Sequence, residues 1–318
     1  MVNELRQVMC FGEPLIGFFS KKESQDLPSF QMAIGGDTSN VALGVTKLGH
    51  PASYTTRLGN DFFAEKIKEY WIKEQLDIRY VFEDEQHQTG IYFALYDAHG
   101  DHQFIYKRQN SATTYYSITD AQKVSLDHLK VFHLSGISQA ISKSCIEASF
   151  YFMKRCKEFN VLVSYDLNYR RPLWSREYFN SIALYTIGHL ADLVSLNLGE
   201  AELLGFNGDP EKIVRAILDM GPKFVALKLG KDGCMVGSSE GIQYGKPFEV
   251  ESGVETTGAG DSLTAAVIVG ILEGMSLIQM AQFANAVASK VCAAIGSTSG
   301  QPTREEVDRF LAEHVQRK

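Results

Sequence analysis

Short apolar runs alternate with longer stretches of helical period along this chain. Val8–Phe11, Val131–Leu134, Val161–Tyr165, Leu193–Leu196 and Phe224–Leu227 predict strands. Asn40–Leu48 carries apolar residues at helical spacing and stops at Gly49-His50-Pro51, a helix-ending sequence. Asp61–Leu76, Ser142–Phe159 and Arg176–Leu190 repeat the helical period. This order of strand and helix predicts an α/β fold, a mostly parallel central sheet flanked by helices.

One region breaks the rhythm. Thr89–Tyr96 and Gln103–Lys107 are extended runs joined by Asp97-Ala98-His99-Gly100-Asp101, which reads as a hairpin. With Leu15–Phe19 and Phe30–Ile34 it predicts a small accessory β-sheet, from about 13–34 and 89–108, of the kind that closes over a site as a lid. The last third reads as helix: Asp261–Leu272, Ile278–Ala294 and Arg304–Val315. No linker, repeat or low-complexity tract interrupts the chain, so residues 1–318 are expected to form a single domain.

Composition narrows the function classes. At 45% hydrophobic and 22% charged over 318 residues, the chain can bury a sizeable core, and disorder is excluded. Lys plus Arg is 31 against 38 Asp plus Glu, a net charge of −7 with no basic block. That balance excludes nucleic acid and an anionic membrane surface as main partners. No run approaches the ~20 apolar residues of a membrane span, and Gly12-Glu13-Pro14 breaks the first apolar stretch, so no signal peptide is expected. Cys10, Cys145, Cys156, Cys234 and Cys292 are scattered singly, as buried thiols of a reducing, cytoplasmic protein would be.

Two glycine-containing segments carry the chemistry. Thr257-Gly258-Ala259-Gly260-Asp261 stands directly before a long apolar helix. Backbone N–H groups at such a helix start form an anion site, and glycines let a phosphate approach closely. An aspartate placed there would be repelled by phosphate unless it takes a proton from an attacking hydroxyl. Leu263 stands where a dinucleotide fingerprint has its third glycine, and no P-loop sequence exists. Near the other end, Gly35-Gly36-Asp37-Thr38-Ser39-Asn40 precedes a helix beginning near Val41; its carboxylate and amide suit a polyhydroxyl ligand.

Together these segments resemble the ribokinase-like (PfkB) family of carbohydrate kinases: Gly35-Gly36-x-x-x-Asn40 is similar to its N-terminal signature and Thr257–Asp261 to its C-terminal one. The resemblance runs from about residue 6 to 315 and implies a sugar kinase that uses ATP and Mg2+, built as an α/β core with a β-sheet lid. It further implies Asp261 as catalytic base and Gly258, Ala259 and Gly260 as an anion hole. Asn197, Lys228, Gly230 and Asn285 would serve the ATP side, and Glu200, with Asn197, would act on magnesium through water. Glu255 stands where the family usually has an Asp linked to a monovalent cation, so the resemblance does not carry potassium activation over.

The sugar is read from charge. The Gly-Glu-Pro-Leu start, Tyr106-Lys107-Arg108 and Asp166-Leu167-Asn168-Tyr169-Arg170 resemble 2-keto-3-deoxygluconate kinases. A sugar acid needs a fixed cation, for which guanidinium offers a planar fork. Arg108 and Arg170 are the candidates, with Tyr96 and Tyr106 donating hydroxyls and Gly35, Gly36, Asp37 and Asn40 completing the sugar side. Gly12 occupies the place where many neutral-sugar kinases carry an Asp. A fructokinase or other neutral-sugar kinase is the alternative within the class, and a non-catalytic sugar sensor the alternative outside it. The small sheet is expected to pair with a second copy, giving a homodimer or higher homo-oligomer. His99 and His102 read as a solvated turn rather than a metal site.

Overall fold

Val8, Met9, Cys10 and Phe11 send their side chains alternately to two sides of one sheet: Val8 and Cys10 enter one apolar cluster, Met9 and Phe11 the other. Burial on both faces is what an uninterrupted apolar strand encodes. The computed structural model describes residues 6–20, 29–96, 102–248, 257–292 and 300–315.

Among these described residues, nine strands form the large sheet in the order Gly241–Gly245, Cys234–Ser238, Phe224–Lys228, Leu193–Asn197, Leu162–Asp166, Val131–Ser135, Val8–Phe11, Ala52–Gly59 and Asp77–Asp84. Pairing is parallel throughout except for the first two, which add antiparallel at one edge. Helices Asp37–Lys47, Phe62–Lys73, Ala259–Leu272 and Leu277–Cys292 seal one face, through Leu43, Trp71, Val267 and Phe283. Lys143–Glu158, Arg176–His189 and Pro210–Leu218 seal the other, through Phe152, Phe179 and Val214. Ser262 through Gly270 are all buried, so Ala259–Leu272 is an interior helix apolar all round.

A separate four-stranded sheet has the order Phe30–Gly35, Leu15–Ser20, Ile91–Tyr96 and His102–Lys107. These are the strands expected from the extended runs and their hairpin, with Ile91–Tyr96 starting two residues later than the run suggests. Leu15, Phe19, Tyr92 and Ala94 form its own small core.

Two helices start earlier than their apolar periodicity implies, and each is opened by glycine. The first begins at Asp37 rather than near Val41: Gly36, at φ 117°, turns the chain, and a Cβ there would lie 2.6 Å from the Glu13 carbonyl oxygen. The second begins at Ala259 rather than Asp261, behind Gly258 in the left-handed region at φ 84°. Ala52–Gly59 was not legible as a strand because Ser53, Thr55 and Thr56 are polar. They are nonetheless buried, with Thr55 bonded to the Tyr116 hydroxyl at 2.7 Å and Thr56 to the Gly12 carbonyl at 2.8 Å. Side-chain caps fix other helix starts: Asp61 accepts from Ala64 N at 2.9 Å and Ser142 from Cys145 N at 3.1 Å.

Candidate active site

The carboxyl ends of the parallel strands, the usual ligand crevice of such sheets, carry Asp166, Asn197 and Lys228. Against them come the two glycine-opened helix starts. Asn40 Nδ2 donates to Asp261 Oδ2 at 2.7 Å, joining the first of these helices to the second. Asp261 is half-buried. Its carboxyl is pushed up to about 7 by desolvation and by the Asp37 carboxylate, with Asp166 adding to the effect, against the Asn40 hydrogen bond and the Lys228 ammonium. Asn40 Oδ1 is buried without a protein partner. Asp37 Oδ2 in turn accepts from Asn168 Nδ2 at 2.9 Å. Gly12 lacks room for an acidic side chain, since a Cβ there would lie 2.2 Å from Thr38 Oγ1.

A charged network lies behind the second helix start. Lys228 Nζ donates to Asp166 Oδ2 at 2.6 Å, and Thr264 Oγ1 donates to the same oxygen at 2.9 Å. Burial alone would lower the Lys228 pKa; Asp166, Glu200 and Asp261 together hold it above its ordinary value. The ammonium also reaches the helix start, because a Cβ on Gly260 would lie 3.6 Å from Lys228 Nζ. Glu200 is buried, and its oxygens accept from Tyr169 N and Asn197 N, each at 2.9 Å, while Asn197 Oδ1 accepts from Glu200 N. Burial and the nearby Asp166 push the Glu200 carboxyl up. Gly230 opens the turn after Lys228 in the left-handed region at φ 63°. Asn285 is buried on Leu277–Cys292 against Gly245, with its side chain acting on the Cys234 thiol.

Tyr106, Arg108 and Arg170 line one cavity of about 750 Å³, together with Phe63, Ile137 and Leu173. The two arginines are unlike. Arg108 is ion-paired with Glu13, which is fully enclosed and also accepts from Ser111 Oγ at 2.7 Å. Arg108, expected as a fixed cation for a sugar carboxylate, thus already has a carboxylate partner in this chain; burial keeps the Glu13 carboxyl raised, against the opposing pull of Arg108 and Ser111. Arg170 is exposed, and its Nη1 donates to the Tyr169 carbonyl at 2.9 Å. The Arg108 guanidinium stands 5.6 Å from the centroid of the Tyr106 ring. Gly35 closes its strand against the Tyr92 hydroxyl. The side chain of Tyr96, and Glu255 with it, fall outside the described residues, as do His99 and the His102 side chain.

Residues 5–304 match the pfkB family of carbohydrate kinases. The chain belongs to that family. As such it is a sugar kinase that uses ATP. This kinase is 31% identical over 309 residues to a 2-dehydro-3-deoxygluconokinase of Bacillus subtilis, covering 96% of this chain and 95% of that one. It is 29% identical over 321 residues to probable fructokinase-3 of Arabidopsis thaliana, covering 98% and 92%. Among solved structures, an E. coli protein provisionally called ribokinase II, in complex with ATP and Mg2+, superposes with a TM-score of 0.87 at 26% identity. That superposition covers 98% of this chain and 100% of the other.

Sequence reading brought out the kinase's two glycine segments, but it passed over Asp166, Asn168, Thr264 and Glu13 as site residues. Asp166 had a signal: a carboxylate closing a parallel strand points into the crevice. Glu13 had none, since its partner lies far along the chain. All five cysteines are free, four of them buried and Cys292 half-buried. Among the described residues no helix is long and apolar enough to cross a membrane.

Proposed function

We propose that this kinase phosphorylates the terminal hydroxyl of 2-keto-3-deoxygluconate, with Asp261 as general base. The observation that carries this reading is the exposed Arg170 guanidinium sharing one cavity with Tyr106 and Arg108. A carboxylate on the sugar would take its charge partner from Arg170 and further N–H donors from Arg108, whose own charge is offset by Glu13. Gly35, Gly36, Asp37 and Asn40 would hold the hydroxyls; the orphaned Asn40 Oδ1 is a ready acceptor.

Asp261, with a pKa near neutrality, is matched to accept the hydroxyl proton at working pH. Gly258, Ala259 and Gly260 offer helix-start N–H groups to the transferring phosphoryl, and Lys228 holds the nucleotide phosphates. Gly230 and Asn285 complete the ATP side. The donors suit magnesium: Glu200, oriented by Asn197, would act through water, and the partnerless buried Asp166 Oδ1, on the carboxylate that Lys228 pairs, would offer a further oxygen. When bound, the metal would neutralise charge on the phosphates. Closure of the small sheet as a lid would exclude water.

A neutral sugar such as fructose is the second reading, favoured by the Glu13–Arg108 pairing, which leaves the pair without net charge. We also propose a homodimer through the small sheet. Phe30, Met32 and Ile105 are exposed there, and the row Met32–Phe18–Phe93–Ile105 across the sheet sets Met32 and Ile105 on one face. The deciding experiment is ADP release with ATP and Mg2+ over 2-keto-3-deoxygluconate, 2-keto-gluconate, fructose and ribose, with Asp261→Asn as blank. Preference for the keto-deoxy acid supports the reading; preference for fructose replaces it by the second.

A further inference from the structure

Gln301 is 4% exposed and lies just ahead of the last helix, Arg304–Val315. Its side-chain amide spans the two helices that carry Asn40 and Asp261. Nε2 donates to the backbone carbonyl of Asn40 at 2.7 Å and to Ser262 Oγ, the residue next to Asp261, at 3.2 Å. Its backbone carbonyl accepts from Lys47 Nζ at 3.4 Å, at the far end of the first helix. The two helices touch here with almost no slack: a Cβ on Gly44 would lie 2.9 Å from the Ala265 Cβ and 3.4 Å from Gln301 Nε2.

We propose that Gln301 is a positioning residue that fixes the Asn40–Asp261 hydrogen bond. One planar amide holds residue 40 by its backbone and residue 262 by its side chain, bracketing the contact between them. Packing of Gly44 on Ala265 sets the distance between the helices. The two bonds from Gln301 add a directional restraint at the turn where Asn40 meets the carboxylate. A shift of less than 1 Å there lengthens a 2.7 Å bond beyond useful geometry.

The proposal rests on Asp261 being the base. The charged groups that act on Asp261 are Asp37 from the first helix and Asp166 and Lys228 from the strand ends. Gly300, Gln301, Pro302 and Thr303 carry no charge. A neutral substitution at 301 therefore adds or removes no charge around Asp261, and a change in titration that the Asn40→Ala variant abolishes is assigned to the Asn40 bond, which holds the carboxyl down.

The test is the pH dependence of kcat for Gln301→Met beside the unaltered enzyme. Expected are a fall of about tenfold in kcat, KM values for ATP and sugar within about twofold, and an acidic limb displaced upward by about half a unit or more. Asn40→Ala should displace the limb in the same direction, and the double variant no further. A lowered melting temperature with an unmoved limb overturns the proposal, leaving Gln301 only a packing role. Should Gln301→Met fail to fold, Ser262→Ala removes one anchor alone; a displaced limb supports the strut, and an unmoved one overturns it. Retained turnover in Asp261→Asn would instead defeat the assignment of the base itself.

Discussion

The Asn40 amide donates to Asp261 Oδ2 at 2.7 Å across 221 residues of sequence. It restrains a carboxyl that desolvation and Asp37 would otherwise drive further up, and leaves it titrating at about 7. A base must be ionised to work, so kcat should rise as pH passes through neutrality and level above it. Asp261→Asn should lower kcat by 10²–10⁴ at pH 8 while sugar binding, followed by calorimetry, stays within a few-fold. A profile flat between pH 6 and 8 would sink the assignment.

The same carboxyl makes a stability prediction of defined sign. Its native pKa of about 7 lies above the unfolded value of 3.8, so between those limits the native state holds more protons than the unfolded one. Stability contributed at this site is therefore lost as pH rises across that window and does not change above it. Asp261→Asn, which cannot ionise, should match the unaltered protein near pH 4 and exceed it by roughly 2–4 kcal/mol at pH 8. Paired urea titrations at the two pH values measure the difference.

Lys228 and Asp166 should behave as one unit. Both are largely enclosed, with side-chain exposures of 15% and 4%, and they meet at 2.6 Å. Lys228→Met leaves the carboxylate with Thr264 alone, at a cost of about 3–5 kcal/mol typical of a broken buried pair. Adding Asp166→Asn should restore most of the melting temperature. Turnover with ATP should remain lost, because the cation facing the Gly260 turn is still missing and the Asp166 carboxylate proposed for magnesium is now an amide. Recovery of both together would mean that the lysine serves the fold and not the phosphates.

These pairings mark where the sequence was readable. Apolar runs such as Val8–Phe11 announce a buried parallel strand, and a glycine before an apolar helix announces both the helix start and an anion site. Asn40 and Asp261 were legible for that reason. Ala52–Gly59 was hidden because its hydroxyls find partners only after folding, Thr55 on Tyr116 and Thr56 on Gly12. The helix starts were misplaced by two to four residues because periodicity registers side chains that are buried, whereas a helix begins where backbone torsion permits. Ser111 on Glu13 and Gln301 on Asn40 join residues 98 and 261 positions apart, Arg108 reaches Glu13 over a similar distance, and no local pattern encodes such a bond.

The two cavity arginines should separate cleanly. Arg108→Ala strips an enclosed carboxylate of its counter-ion, so it should lower the melting temperature, and Glu13→Gln in the same chain should restore much of it. Arg170 is exposed and bonded only to a neighbouring carbonyl among its hydrogen-bond contacts in the described residues, so Arg170→Ala should leave stability unchanged. If a sugar carboxylate docks there, kcat/KM for 2-keto-3-deoxygluconate should fall by about 30- to 100-fold, the worth of a charge-assisted bond, while that for fructose moves less than about threefold. Equal losses on both sugars would assign Arg170 to the shape of the cavity. No loss on either would remove the carboxylate clamp and leave the neutral-sugar reading, because the Glu13–Arg108 pair supplies no net charge for an acid.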